Sequence, residues 1–137
     1  MTYLDTLFTQ LAVDEGKRNR MYRDSEGIET IGIGHNLRDK AISERAIRVI
    51  FEDDVADAEK DARRLLPEFD QLSDARKAVV VNMAFNLGYD RLADFHKTLG
   101  FINAGKFDDA AEAMLASKWA RQVGDRALRL AANMRKG

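Results

Sequence analysis

At 137 residues, with 45% apolar and 33% charged side chains, the chain has room for one domain with a sizeable core and the balance of an ordinary globular protein. A formal net charge of −1 argues against a general nucleic-acid binder, and the absence of cysteine removes disulfides and thiolate metal sites. A single proline and seven phenylalanines argue against disorder, and no apolar run approaches a membrane span.

The opening stretch MTYLDTLFTQ carries Asp5 and no basic region, the pattern of neither a signal peptide nor a transit peptide. Leu4, Leu7, Phe8, Leu11 and Ala12 recur at i, i+3 and i+4. That spacing predicts a helix over 3–15 with one buried face, stopped by Gly16. A polar segment follows to Asp24, with Met21 and Tyr22 as a short extended piece. Ser25, Glu26 and Gly27 supply turn chemistry. Ile28, Thr30, Ile31 and Ile33 suit a strand, and Gly32 and Gly34 mark a bend or a close approach of another group. A small hairpin or three-stranded sheet is expected here.

Ser43 is placed to cap a long helix whose apolar positions are Ala46, Ile47, Ile50, Phe51, Val55, Ala58, Ala62 and Leu65; Pro67 stops it. Asp54 falls inside that stripe, where a charge is costly unless paired. Ser73 caps the next helix, 74–87, with Gly88 as its stop. Its centre, AVVVNMAF, is apolar nearly all round and predicts a helix surrounded by others. Asn82 within it must find partners. Shorter helices are expected at about 90–103, 107–116 and 118–134, broken by Gly105 and Gly124. From Lys106 onward seven Lys/Arg stand against four Asp/Glu, a mild basic bias that fits solvated helix surface. The pattern is a mainly helical α+β protein with a small β lobe near its N-terminus.

Chemistry concentrates between Val13 and His35. Glu15 ends the first helical pattern, Asp24 lies in the turn-rich segment, and Thr30 opens the run closed by Gly32, Gly34 and His35. Singly these are weak signals, since acidic residues at a helix end or in a turn are usually solvent-exposed. Together they supply the parts of an inverting glycosidase. One carboxyl protonates the leaving oxygen, a second carboxylate activates water on the opposite face, and a hydroxyl holds that water.

The motifs DEG at 14–16, YRDSEG at 22–27 and TIGIGH at 30–35, with the spacing E-x(8)-D-x(5)-T, resemble the phage-type lysozyme family of glycoside hydrolases. The likeness continues in FEDDV (51–55), AVVVNMAFNLG (78–88), DDAAEAMLASKW (108–119) and Arg121–Gln122 with Arg126. The resemblance implies a lysozyme-like fold as a single domain over 1–137. Its small β lobe would span about 16–40, and a long helix would join it to a helical body of 1–15 and 43–137. It also implies hydrolysis, with inversion, of the β-1,4 bond between N-acetylmuramic acid and N-acetylglucosamine in peptidoglycan, without metal or cofactor. By the same match Glu15 is the general acid, Asp24 the carboxylate that activates or orients the water, and Thr30 the hydroxyl that positions it. Arg126 matches an arginine that pairs with the acid. His35 and Asp54 match a structural ion pair between lobe and helix.

Asn36, Phe85, Asn86, Thr98, Trp119 and Gln122 match substrate-binding positions, although core packing accounts for Phe85 and Trp119 equally well. The chain departs from the family in its short link, NLRDKAI, between His35 and the long helix, in Ala113 where a polar contact is usual, and in its near-neutral charge. The implied setting is a monomeric phage endolysin, made in the bacterial host cytoplasm without a signal peptide. It would reach the wall after release, through a holin-type pore or in a virion, with neither nucleic acid nor membrane insertion involved. Two rivals remain. A lytic transglycosylase has no water to position, so Asp24 and Thr30 argue against it. A non-catalytic wall-binding relative would fit the short lobe and low charge but not the intact triad.

Overall fold

The structure, a computed structural model, describes residues 2–137. They gather into two compact units, one ending at Arg48 and the other comprising Val49–Gly137. The architecture is mainly helical α+β, with a small antiparallel sheet in the first unit, as the pattern predicts.

In the first unit, α1 (Tyr3–Glu15) starts on a reciprocal cap. The Thr2 hydroxyl accepts from the Asp5 backbone N–H at 3.3 Å, and the Asp5 carboxylate accepts from the Thr2 backbone N–H at 2.9 Å. That backbone bond, with the Thr2 hydroxyl second, holds the Asp5 carboxyl below its ordinary range. Gly16, with φ 82°, ends the helix. The expected buried face is not buried: Leu4, Leu7, Phe8 and Leu11 remain 36–60% exposed. Three short strands offer too little surface to cover a helix of 13 residues.

Those strands are β1 (Arg18–Arg23), β2 (Glu29–Gly32) and β3 (His35–Asn36), in the order β1-β2-β3. Tyr22 lies opposite Thr30 and Arg18 opposite Gly32, with an irregularity between the two. On the other side of β2, Thr30 faces Asn36 and Ile31 faces His35. Thr30 is therefore the central residue of the sheet, which is why it alone among the site candidates of this unit is buried.

Helix α2 (Glu44–Leu65) begins where the Ser43 hydroxyl accepts from the Ala46 N–H at 3.1 Å and ends before Pro67. Its stripe is buried only toward the C-terminal end, at Ala58 and Ala62, while Ile47, Ile50 and Phe51 are about half exposed. Asp54 is exposed as well. A solvated carboxylate has no desolvation cost to offset, so the expectation that burial forces a partner on Asp54 does not hold.

The second unit carries the core. Helix α3 (Asp74–Ala93) is capped by Ser73 as predicted, its hydroxyl accepting from the Arg76 N–H. Gly88, at φ 77° and ψ 172°, breaks the helix, but helical backbone resumes beyond it. Val79, Val80, Met83 and Leu87 of α3 pack with Leu66, Phe69, Met114 and Leu130. Val81 and Asn82 stay half-buried and Phe85 is 52% exposed, so α3 is covered on one side rather than surrounded. Helices α4 (His96–Asn103), α5 (Phe107–Ala116), α6 (Lys118–Val123) and α7 (Asp125–Lys136) complete the body, with breaks at Gly105 and Gly124 as expected. Arg76 ties α3 to the end of α7, donating to the carbonyls of Met134 and Arg135 while its guanidinium lies 3.6 Å from the centre of the Phe107 ring.

Candidate active site

Glu15 is the last residue of α1, and its side chain is exposed. Gly34, in the turn between β2 and β3, lies directly against it. A Cβ at position 34 would stand 3.2 Å from Glu15 Oε2 and 3.3 Å from its Cβ and Cγ. Gly34 also adopts φ +65°, where other residues are strained. The close approach anticipated for this glycine is thus an approach to the candidate acid.

Asp24 follows β1 and organises the turn into β2. Its Oδ1 accepts from the backbone N–H groups of Glu26 at 2.8 Å and Ile28 at 2.9 Å. Its own N–H donates to the Ile28 carbonyl at 3.0 Å, and its carbonyl accepts from the Gly27 N–H at 2.9 Å. The aspartate side chain thereby replaces missing strand partners in a turn of Ser, Glu and Gly. Oδ2 accepts no hydrogen bond among the described residues. One carboxylate oxygen holds the turn, and the other is unengaged.

Thr30 is 4% exposed, and its hydroxyl donates to the Ile28 carbonyl at 2.8 Å. With its proton so directed, the oxygen retains acceptor capacity. Ile28 therefore couples the two residues: its N–H goes to Asp24 and its carbonyl receives both Asp24 N–H and Thr30 O–H. In the sequence Ile28 stands out only as a strand former. The D-S-E-G turn ahead of it was the signal that the aspartate would bind backbone N–H groups within its own turn.

Arg38 is a second supporting residue that sequence reasoning missed. It donates to Glu29 Oε2 from Nε at 3.1 Å and Nη2 at 3.0 Å, and to the Gly27 carbonyl at 3.1 Å. It clamps the Asp24 turn to the segment after β3. Glu29's own backbone N–H, then Arg38, hold the Glu29 carboxyl below its ordinary value. Nothing in the local pattern marks Arg38, because its partners lie 9 and 11 residues away.

The other candidates fall into separate groups. Asn36 engages Asp39 through both ends of its amide, at 2.9 Å each. The His35 ring nitrogen Nε2 lies 3.2 Å from the Lys40 carbonyl oxygen. Its expected partner Asp54 belongs to the other unit. Arg126 answers the need of Asn82: Nε and Nη2 donate to Asn82 Oδ1 at 3.1 and 2.7 Å, across 44 residues of sequence. With Phe51, Val55, Val81 and Phe85 they line a depression of about 660 Å³.

Trp119 is only 3% exposed. Its indole N–H donates to Asn86 Oδ1 at 2.8 Å, and it meets Phe95 edge-on at 6.0 Å between ring centres. Packing is thus the main role of its ring, and Asn86 serves that ring. Trp119 also borders a second depression, of about 670 Å³, together with Thr98, Ala113 and Gln122. Among the described residues, no three His, Asp or Glu side chains converge as a metal site.

The phage lysozyme family matches residues 12–136. Probable T4-type lysozyme 1 of Dictyostelium discoideum is 29% identical, with 88% of each chain covered. Probable T4-type lysozyme 2 of the same organism is 26% identical over 93% of this chain and 92% of its own length. The pre-baseplate central spike protein of Enterobacteria phage T4 is 32% identical over 85% of this chain, but over only 25% of its own length.

Proposed function

The chain belongs to the phage lysozyme family and is a muramidase-like glycoside hydrolase, and from that premise we propose that it hydrolyses the β-1,4 bond between N-acetylmuramic acid and N-acetylglucosamine in peptidoglycan, with inversion. Glu15 donates its proton to the leaving glycosidic oxygen. A water held by Asp24 Oδ2 and the acceptor lone pairs of Thr30 attacks the anomeric carbon from the opposite face. Asp24 takes up the proton that this water releases, and the new reducing end keeps the water oxygen.

The observation that carries this reading is the Asp24–Ile28–Thr30 network, which fixes both water-side groups while leaving each an acceptor. In a transglycosylase, which uses no water, the network would serve the turn alone and its open acceptors would have no chemical role. Asn36, Phe85, Asn86, Thr98, Trp119 and Gln122 are assigned to the substrate side, Asn86 through its hold on Trp119. The enzyme acts as a monomer and reaches the wall through a holin-type pore or in a virion.

Incubation with purified peptidoglycan tests the assignment. Reducing muramic acid ends, abolished in Glu15→Gln, are expected. Anhydro ends would indicate a transglycosylase, no cleavage by the unaltered chain would indicate a wall-binding relative, and persistent cleavage by Glu15→Gln would mean that the acid is misassigned.

A further inference from the structure

Strand β1 joins the two candidate carboxylates, and it is strongly cationic. Lys17, Arg18, Arg20 and Arg23 fall within seven residues that contain no acid. All four are exposed. Arg23 is engaged by Glu29 at 3.7 Å. Among the described residues, Lys17, Arg18 and Arg20 form no ion pair: Lys17 lies 5.9 Å over the Phe8 ring, and Arg18 lies 4.8 Å over the Tyr22 ring. In a chain with net charge −1, three neighbouring cations without a carboxylate partner form a local concentration of positive potential. The strand is also an edge of the sheet, and Lys17 to Tyr22 line a shallow trough of about 570 Å³.

We propose that this trough binds an anionic phosphodiester chain of the polyol-phosphate type, laid along β1. Lys17, Arg18 and Arg20 fall within four consecutive residues, so closely set cations meet the closely set charges of a polyanion. Guanidinium groups match phosphate oxygens in paired hydrogen bonds. Single-stranded nucleic acid fits less well, because Tyr22, the strand's aromatic residue, is half-buried with Arg18 stacked over its ring, which leaves little of it for base stacking. A bilayer fits less well because the surface offers Met21 as its exposed apolar side chain. The trough would hold the enzyme on phosphate-bearing wall while the glycan is cut elsewhere in the same unit. Binding is read without turnover, so its failure and the failure of the hydrolytic reading are distinguishable.

The test is equilibrium binding of a fluorescent synthetic poly(glycerol phosphate) to the full chain, with polyglutamate, single-stranded DNA and phosphatidylglycerol vesicles as the other arms. Affinity for poly(glycerol phosphate) should exceed that for the other three and fall steeply between about 50 and 200 mM salt. The double variant Lys17→Gln/Arg20→Gln keeps the Arg18–Tyr22 stack. It should bind about tenfold more weakly, with an unchanged circular dichroism spectrum and unchanged cleavage of phosphate-free peptidoglycan. Equal binding by this variant, preference for any other arm, or loss of cleavage of the phosphate-free wall would overturn the proposal.

Discussion

Gly34 lies against the side chain of Glu15, close enough that a single added carbon would stand 3.2 Å from the carboxylate oxygen Oε2. The turn between β2 and β3 thus forms the floor beneath the candidate acid. Gly34→Ala carries two penalties: backbone strain at φ +65° and pressure on Glu15. The expected outcome is a stability loss of about 1–2 kcal/mol, and a fall in cleavage rate of about tenfold or more as the acid is displaced. Denaturant unfolding and peptidoglycan turnover measure the two separately, and unchanged turnover would show that Glu15 does not need this floor.

Asp24 has one oxygen in structure and one free, so its two roles separate by substitution. Asp24→Asn keeps an oxygen for the Glu26 and Ile28 N–H groups and removes the charge. Its stability should lie within about 0.5 kcal/mol of the unaltered chain, with cleavage nearly lost. Asp24→Ala leaves both N–H groups without that acceptor and should cost about 1–2 kcal/mol in addition. Equal stability of the two variants would contradict the turn-organising role.

Trp119 is the chain's single tryptophan, so its fluorescence reports on the second unit. Asn86→Ala deprives the buried indole N–H of its acceptor and should destabilise that unit by about 1–3 kcal/mol. The emission change on unfolding would move to lower denaturant. An unmoved midpoint would mean that the 2.8 Å bond contributes nothing.

Glu29 gives the first unit a defined acid response. Its carboxyl is held below the ordinary value of 4.5, first by its own backbone N–H and then by Arg38. A depressed folded value contributes stability that is complete above the ordinary value and is lost as pH falls through the folded one. The advantage of the unaltered chain over Glu29→Gln should therefore be present near neutrality and shrink as pH falls below the ordinary value. A pH-independent difference between the two, followed by circular dichroism, would contradict this.

Much of the scaffold was legible because its signals are local. Ser43 and Ser73 cap helices as serine does ahead of an apolar period, and Gly16, Gly105 and Gly124 fall where helices break. Burial was less legible. The stripes of α1 and α2 show which face is apolar, but not whether another element covers it, and Leu4, Phe8, Ile47 and Ile50 are left exposed. In the site, Asp24 and Thr30 could be named from their spacing, and the D-S-E-G turn signals that Asp24 binds its own turn. The Thr30 hydroxyl's bond to the Ile28 carbonyl, which completes the coupling, depends instead on a rotamer the sequence does not encode. Arg126 with Asn82, and Arg38 with Gly27, join residues too far apart for any periodicity to connect.

The central claim, direct attack by a water held between Asp24 and Thr30, is tested most directly by the configuration of the first product. Proton NMR of purified peptidoglycan, followed from the first seconds of cleavage, should show the new muramic acid end appearing as the α-anomer before it equilibrates. First appearance of the β-anomer, or of a 1,6-anhydro end, would contradict the account.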